Sequence, residues 1–171
     1  MDMEYGDRLI RLYNRVYSKP ASVRFLDLLG KVSVLYVALA YGAVCADTLI
    51  NRGWQDLARL VAMAAIPFLL VSLMRGFLNC QRPYEVVDIA PFERMKAQRK
   101  AGKSFPSRHV FSAFLIGALL FEYSALLGVM TLLVGVYIAI ERVLLGIHFT
   151  KDVVAGALIG TLSGIIGTLI L

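Results

Sequence analysis

Polar side chains capable of phosphate chemistry gather in three short stretches, each beside a long apolar segment. The stretches hold Arg75 with Arg82, then Ser107-Arg108-His109, and then Arg142 with His148 and Asp152. Charged groups near membrane hydrocarbon are costly, so their presence there favours a functional role. Guanidinium groups bind phosphate oxygens through paired hydrogen bonds. Four arginines with two histidines therefore predict a site for a phosphate carried on a lipid.

The spacing within the stretches also suits this chemistry. His148 and Asp152 are four residues apart and would share one face of a helix that begins near His148. A carboxylate on one imidazole nitrogen fixes the tautomer and leaves the other nitrogen as a nucleophile. Ser107, after Pro106, offers a hydroxyl and backbone N–H groups at a helix start, which is a favourable seat for an anion. From the first turn of that helix, His109 could face the same phosphate.

Composition indicates the elements that must position these residues. The chain has 171 residues, of which 58% are hydrophobic, and its mean hydropathy is +0.70. A bilayer-spanning helix needs about 20 apolar residues. Four segments approach that length, and a fifth, 110–121, is shorter; the four are 32–50, 57–74, 125–140 (extending to 145) and 153–171. We predict an all-α integral membrane bundle of about five transmembrane helices.

The N-terminal segment has a different pattern. Residues 5–18 carry apolar side chains at helical spacing, with Asp7, Arg8, Arg11 and Arg15 between them. This predicts an amphipathic helix in the lipid headgroup layer, within residues 1–24; a helix packed on a partner protein is the alternative. It has no apolar core of the signal-peptide type, so no cleavage is expected. We treat 1–171 as a single domain, with the bundle in 25–171 and the catalytic stretches in 75–152.

Topology predicts that the three stretches meet. If the chain crosses the membrane at each of five spans, the end of the second, the start of the third and the end of the fourth lie on one side. The N-terminal helix lies on that side too. Basic residues concentrate there, so the positive-inside rule predicts that this side faces the cytoplasm. Phosphate binding is an alternative explanation for several of these arginines.

The cysteines, the glycines and the remaining charged residues give little evidence of a further function. Cys45 and Cys80 fall in different predicted helices, and no other metal-ligating residues lie near them in the sequence. We therefore expect neither a disulfide nor a metal site. Gly156, Gly160 and Gly164 form a small-residue ladder that suits packing within the chain or in a homo-oligomer. The net charge of +6 resides at membrane edges and does not favour nucleic-acid binding. The basic part of segment 84–105 is either a lid that attracts anionic headgroups or a solvated loop.

The three stretches together resemble the signature of the type 2 phosphatidic acid phosphatase (PAP2) superfamily, which also includes vanadium haloperoxidases and bacterial acid phosphatases. The family pattern is Lys-x6-Arg-Pro, then Pro-Ser-Gly-His, then Ser-Arg-x5-His-x3-Asp. This chain has the same order and internal spacing. Arg75 replaces the family's lysine, Arg108 its glycine and Glu141 its serine. The first two changes keep a charge and a backbone N–H respectively, whereas the Glu141 change would weaken phosphate binding if it disturbs Arg142.

The resemblance implies a mechanism for these positions. His148 would attack phosphorus and form a phosphohistidine, with Asp152 holding its imidazole. His109 would protonate the leaving lipid oxygen and then activate water. Oxygens of the phosphoryl group would be bound by Arg75, Arg82, Ser107, the Arg108 amide and Arg142. Guanidinium groups can supply the charge stabilisation that Mg²⁺ gives elsewhere, and few carboxylates lie near, so we expect no metal or other cofactor.

These observations favour an integral-membrane phosphatase acting on a lipid phosphate or diphosphate, of the phosphatidate, phosphatidylglycerophosphate or polyprenyl phosphate type. Two alternatives stay open: a lipid phosphotransferase that uses the same intermediate, and a membrane protein that only binds anions or lipids. The expected partners are the bilayer and its phosphorylated lipids. The expected location is a bacterial-type inner or plasma membrane.

Overall fold

The computed structural model describes residues 3–98 and 101–170, and within them all regular structure is helical. Arg99 and Lys100, in the basic segment, and the chain ends at 1–2 and 171 lie outside the described residues. The all-α bundle predicted from the sequence is confirmed. The helices are α1 (Met3–Tyr17), α2 (Pro20–Asn51), α3 (Trp54–Leu78), α4 (Pro83–Val86), α5 (Ala90–Gln98), α6 (Arg108–Leu120), α7 (Ala125–Leu144) and α8 (Thr150–Ile170).

Four helices, α2, α3, α7 and α8, include stretches long and apolar enough to cross a bilayer. Helix α6 is apolar but has only 13 residues. At 1.5 Å per residue it extends about 20 Å, less than a bilayer core of about 30 Å. Leucine, isoleucine and phenylalanine side chains are exposed along the outer faces of the long helices, as expected for contact with lipid. The protein is thus an integral membrane protein with a short helix at its centre.

Helix α8 packs against α6 through the glycine ladder. A Cβ atom at Gly156 would lie 2.7 Å from the carbonyl oxygen of Ser107, and one at Gly164 would lie 2.5 Å from the Cβ of Ala118. Gly160 makes an equally close approach to the Phe111 carbonyl. The ladder therefore serves packing within the chain, where side chains would force the two helices apart. This contact fixes α8, which begins beside His148, against the start of α6.

Helix α1 is amphipathic, as the sequence indicates, but its apolar face packs on the protein itself. Leu9 and Tyr13 are buried against Tyr84, Val87 and Phe92 in and around the short helices α4 and α5. The Tyr13 and Phe92 rings lie 5.0 Å apart between centroids. Hydrophobic periodicity cannot distinguish a lipid surface from a protein surface, so this packing was not predicted, and contact of α1 with the headgroup layer stays a prediction. Helix α1 and segment 84–92 form a cap beside the bundle.

The two cysteines, Cys45 and Cys80, are free thiols, as expected. The cap, the end of α3, the start of α6 and the turn between α7 and α8 lie together. Ser107 donates its backbone N–H to the carbonyl of Asp152 over 2.9 Å, which joins the start of α6 to the start of α8. The same end of the bundle carries all three polar stretches.

Candidate active site

A cavity of about 220 Å³ opens where the three polar stretches meet. Its walls include most of the candidate residues: Arg75, Arg82, Arg108, His109, Arg142 and His148, together with Tyr84 and Ile147. Two candidates are absent from that set. Asp152 lies behind His148, and Ser107 is fully buried just before the first helical turn of α6. Both histidines therefore face one space, as required if they act on one phosphoryl group.

His148 is held from behind by a carboxylate and a hydroxyl. Its Nδ1 lies 3.5 Å from Asp152 Oδ2 and 3.3 Å from Ser104 Oγ. Ser104 is fully buried and donates its hydroxyl to the same Asp152 oxygen over 2.5 Å. The backbone N–H of Phe149 donates to that oxygen as well, over 3.0 Å. With Nδ1 carrying the proton, Nε2 is left with a lone pair for attack.

Ser104 was not predicted from the sequence. It lies three residues before Ser107, in the stretch Ser-Phe-Pro-Ser. Its position close to the Pro-Ser-Arg-His motif was the only feature of the sequence that could have indicated a role in the site. Its backbone is fixed on both sides: the N–H donates to the carbonyl of Cys80 over 2.8 Å, and its own carbonyl accepts from Arg75 over 3.2 Å.

The turn that presents His148 depends on a glycine. The backbone N–H groups of Ile147 and His148 donate to the Arg142 carbonyl over 3.0 and 3.2 Å and close the end of α7. Gly146 has a φ of 65°, which favours glycine, and the Phe92 ring lies against it where a Cβ would project. Tyr17 of α1 donates to the Leu145 carbonyl over 3.1 Å. The cap thus holds the turn in place.

Burial controls the charge of His148, which is only 2% exposed. Loss of hydration lowers the pKa of His148 to about 4, and the arginines at 75 and 82 act in the same direction, while Asp152 opposes the shift. The imidazole is therefore neutral near pH 7, the protonation state that a nucleophile needs.

Arg75 makes backbone contacts that were not predicted from the sequence. Its Nη1 donates to the carbonyls of Ser104 and Pro106, and its Nη2 donates to the carbonyl of Lys103. The side chain is buried and still borders the cavity. A lysine ammonium lacks the planar fork that spans several carbonyls. Arg75 therefore anchors the segment that leads into α6, and its direct contact with phosphate stays a prediction.

Arg82 connects the segment after α3 to the turn between α7 and α8 through hydrogen bonds. Its Nε donates to the Gly102 carbonyl over 3.0 Å, and its Nη1 donates to the Ile147 carbonyl over 3.3 Å. Glu85 accepts the backbone N–H of Arg82 over 2.7 Å and that of Gly102 over 3.0 Å. The guanidinium is thereby oriented along the cavity wall.

Arg142 is paired with the residue before it. Its Nε lies 3.1 Å from Oε2 of Glu141, whose side chain is fully buried. Glu141 fits because α2 has Gly30 opposite: a Cβ there would lie 2.8 Å from the Glu141 Cδ. The glutamate therefore fills the space beside α2 and holds Arg142 at the cavity.

Within residues 3–98 and 101–170, Ser107 Oγ and Asp152 Oδ1 are buried without a hydrogen-bond partner. An unsatisfied buried polar atom costs about 1–3 kcal/mol. The Ser107 hydroxyl would be stabilised by donating to water or to a ligand oxygen, whereas Asp152 Oδ1 accepts and would be stabilised by water or another donor. The same ranges contain no group of three histidine, cysteine or acidic side chains arranged to hold a metal ion.

A second space, an apolar groove of about 270 Å³, adjoins the cavity. It is lined by side chains of α2, α3, α6 and α7, namely Val34, Val37, Ala38, Phe68, Ser112, Ala113, Ile116 and Ile138. Arg108 and His109 border both spaces. The polar cavity and the apolar groove are therefore adjacent and share these two residues.

Comparison with known proteins identifies the family of this chain. The sequence profile of the PAP2 superfamily matches residues 56–171. The chain belongs to the PAP2 superfamily. This confirms the resemblance inferred from the three motifs. Among relatives, bacitracin transport permease protein BcrC of Bacillus licheniformis is 29% identical over 107 residues, which are 62% of this chain. The match spans 53% of that relative's length.

Solved structures with a similar fold include the following two. The crystal structure of Aquifex aeolicus LpxE matches with a TM-score of 0.67 and 23% identity, covering 94% of each chain. The first transmembrane PAP2-type phosphatidylglycerolphosphate phosphatase from Bacillus subtilis matches with a TM-score of 0.71 and 15% identity. That match covers 98% of this chain and 86% of the other. These likenesses establish a shared PAP2 membrane fold.

Proposed function

We propose that this protein is a metal-independent phosphatase that hydrolyses a lipid phosphate or diphosphate through a phosphohistidine intermediate. The supporting observation is that His109 and His148 line one cavity together with four arginines, beside an apolar groove. A soluble phosphate ester would need only the cavity. The groove offers apolar surface to a chain, and each buried CH₂ contributes about 0.8 kcal/mol to binding.

In the first step, Nε2 of His148 attacks phosphorus in line with the bond to the lipid oxygen. That bond breaks, and His109 donates a proton to the departing oxygen. Asp152 stabilises the positive charge that develops on the phosphorylated imidazole. Arg82, Arg142 and the Arg108 backbone N–H bind the phosphoryl oxygens as their negative charge is redistributed.

In the second step, His109 takes a proton from a water molecule, whose oxygen attacks the phosphohistidine. The P–N bond breaks, which releases inorganic phosphate and restores neutral His148. The chemistry relies on positioning and charge stabilisation, which the fixed guanidinium groups supply. If an alcohol took the place of water, the same intermediate would transfer the phosphoryl group to it.

Turnover of a lipid phosphate panel in detergent tests the proposal. His148→Ala should abolish phosphate release from phosphatidate, phosphatidylglycerophosphate and polyprenyl phosphates alike, whereas excess EDTA should leave the wild-type rate unchanged. Vanadate should inhibit because it adopts the trigonal-bipyramidal geometry of the transition state. Near-native release by the alanine variant, or loss of activity on chelation, would exclude this mechanism. Addition of alcohol acceptors distinguishes transfer from hydrolysis, because a phosphotransferase would form the phosphorylated alcohol and a phosphatase would release inorganic phosphate.

The proposed location is a bacterial-type inner membrane with the site on the cytoplasmic side. Basic side chains exposed on the site's side, including Arg11, Arg15 and Lys103, support this orientation, against Arg52 and Arg59 at the other end. An impermeant thiol reagent applied to intact cells tests it on a Lys103→Cys variant that lacks Cys45 and Cys80. No labelling is expected until the cells are opened, and labelling of intact cells would place the site outside.

A further inference from the structure

Arg108 holds a guanidinium group that the hydrolysis scheme above does not use. The family pattern has glycine at this position, and the scheme needs only the backbone N–H. The Arg108 side chain is exposed and borders both the phosphate cavity and the apolar groove. Its charge therefore lies on the path between the scissile phosphate and the lipid tail.

The surroundings of this guanidinium differ from those of the other site arginines. Arg75 and Arg82 donate to backbone carbonyls, and Arg142 is paired with Glu141. Arg108 makes no hydrogen bond or ion pair with any residue in 3–98 or 101–170. Its described contact is with Phe68, whose ring centroid lies 5.9 Å from the guanidinium carbon. Phe68 itself lines the apolar groove, which places the charge at the groove's mouth.

A lipid monophosphate has nothing charged at this position, because an ester oxygen joins its phosphate directly to the carbon skeleton. A lipid diphosphate has its inner phosphate there. Since a guanidinium with free donors binds phosphate oxygens in a bidentate manner, it would recognise that inner phosphate. Building on the proposed function, we propose that Arg108 makes this enzyme selective for lipid diphosphates.

The reaction with a diphosphate balances without a new reactant. Nε2 of His148 bonds to the terminal phosphorus, and the bond from that phosphorus to the bridging oxygen breaks. The electron pair stays on the bridging oxygen, which becomes part of the lipid monophosphate. Arg108 stabilises that added negative charge. Water then cleaves the phosphohistidine, its proton passes through His109 to solvent, and the products are inorganic phosphate and the lipid monophosphate.

The test compares two substrates that share one tail. Farnesyl diphosphate and farnesyl monophosphate are hydrolysed in detergent by the wild type, Arg108→Ala and Arg108→Gly, and kcat/KM is measured for each pair. We expect the wild type to prefer the diphosphate. Both variants should lose about tenfold or more on the diphosphate, the size of a charged hydrogen bond, and less than about threefold on the monophosphate.

Lys151→Ala is the matched control, because Lys151 is another exposed basic side chain near this site. It should leave the substrate preference unchanged. Equal losses on both substrates in the Arg108 variants, or a wild type that prefers the monophosphate, would overturn the proposed selectivity while leaving the phosphatase intact. If the wild type releases phosphate from neither substrate nor from any lipid of the panel, the proposed function itself fails.

Discussion

Ser104 Oγ lies 2.5 Å from Asp152 Oδ2 and 3.3 Å from His148 Nδ1, so one hydroxyl bridges the carboxylate and the imidazole. The direct distance from His148 Nδ1 to Asp152 Oδ2 is longer, 3.5 Å. By donating to the carboxylate, the hydroxyl turns a lone pair toward the Nδ1 proton. Ser104 thus helps to fix the tautomer that aims Nε2 into the cavity.

Ser104→Ala should therefore lower kcat by about tenfold while KM changes little, because the hydroxyl orients the nucleophile and does not contact substrate. The losses in Ser104→Ala and Asp152→Asn should be less than multiplicative when combined, since both act through His148. Steady-state kinetics of the single and double variants measure this. Ser72→Ala is the control, because the Ser72 hydroxyl is buried without a hydrogen-bond partner in the described ranges. Independent, multiplicative effects would mean that Ser104 has only a structural role.

Gly30 and Glu141 form a pair across α2 and α7. Gly30→Ala would place a methyl group 2.8 Å from the Glu141 carboxyl carbon, so we expect a loss of about 1–3 kcal/mol in unfolding free energy from overpacking. Vanadate binding should also weaken because Arg142 shifts with Glu141. Adding Glu141→Ser, the residue of the family pattern, should restore stability by removing the clash. Thermal unfolding in detergent and vanadate titration provide the measurements.

Gly42→Ala is the control for this pair. Gly42 lies on the same helix, and a Cβ there would meet nothing within 4 Å. That variant should be neutral or slightly more stable, since alanine is favoured over glycine within helices. A clash that persists in the Gly30→Ala, Glu141→Ser double variant would show that another neighbour limits the space.

Arg75→Lys restores the family's residue, yet we expect it to lower activity. An ammonium keeps the charge but cannot span the carbonyls of Lys103, Ser104 and Pro106. With the segment before α6 loosened, kcat should fall about tenfold, as when one well-placed polar contact is lost. Arg59→Lys, at the other end of α3, should retain full activity. Full activity of the Arg75→Lys enzyme would mean that only the positive charge at position 75, and not its hydrogen bonds to these carbonyls, is needed for activity.

The buried state of His148 predicts how stability depends on pH. An unfolded histidine has a pKa of about 6.5, whereas burial lowers the pKa of His148 to about 4. Between these values the unfolded chain binds the extra proton, so stability is fully present above about pH 6.5 and falls as the pH drops toward 4. The difference in thermal midpoint between the wild type and His148→Gln should shrink or reverse over that range. A constant difference would indicate an imidazole that titrates normally.

Much of the architecture could be predicted from sequence because its signals are local. Apolar segments gave the spans, and spacing within the motifs gave the pairing of His148 with Asp152. The carbonyl contacts of Arg75 were not predictable, since these partners lie about 30 residues away and depend on the path of segment 103–106. The packing of α1 on Tyr84 and Phe92 was not predicted for a related reason. An amphipathic pattern indicates which face of a helix is covered, but it does not indicate whether lipid or protein covers that face.

The proposed mechanism requires that His148 becomes phosphorylated during turnover. Rapid acid-free quenching of the enzyme with a ³²P-labelled lipid phosphate, followed by peptide mapping, tests it most directly. We expect label that is labile in acid, stable in alkali and confined to the peptide containing His148, and no label on the His148→Ala protein. Label on another residue, or full turnover with no labelled enzyme on the millisecond timescale, would contradict it.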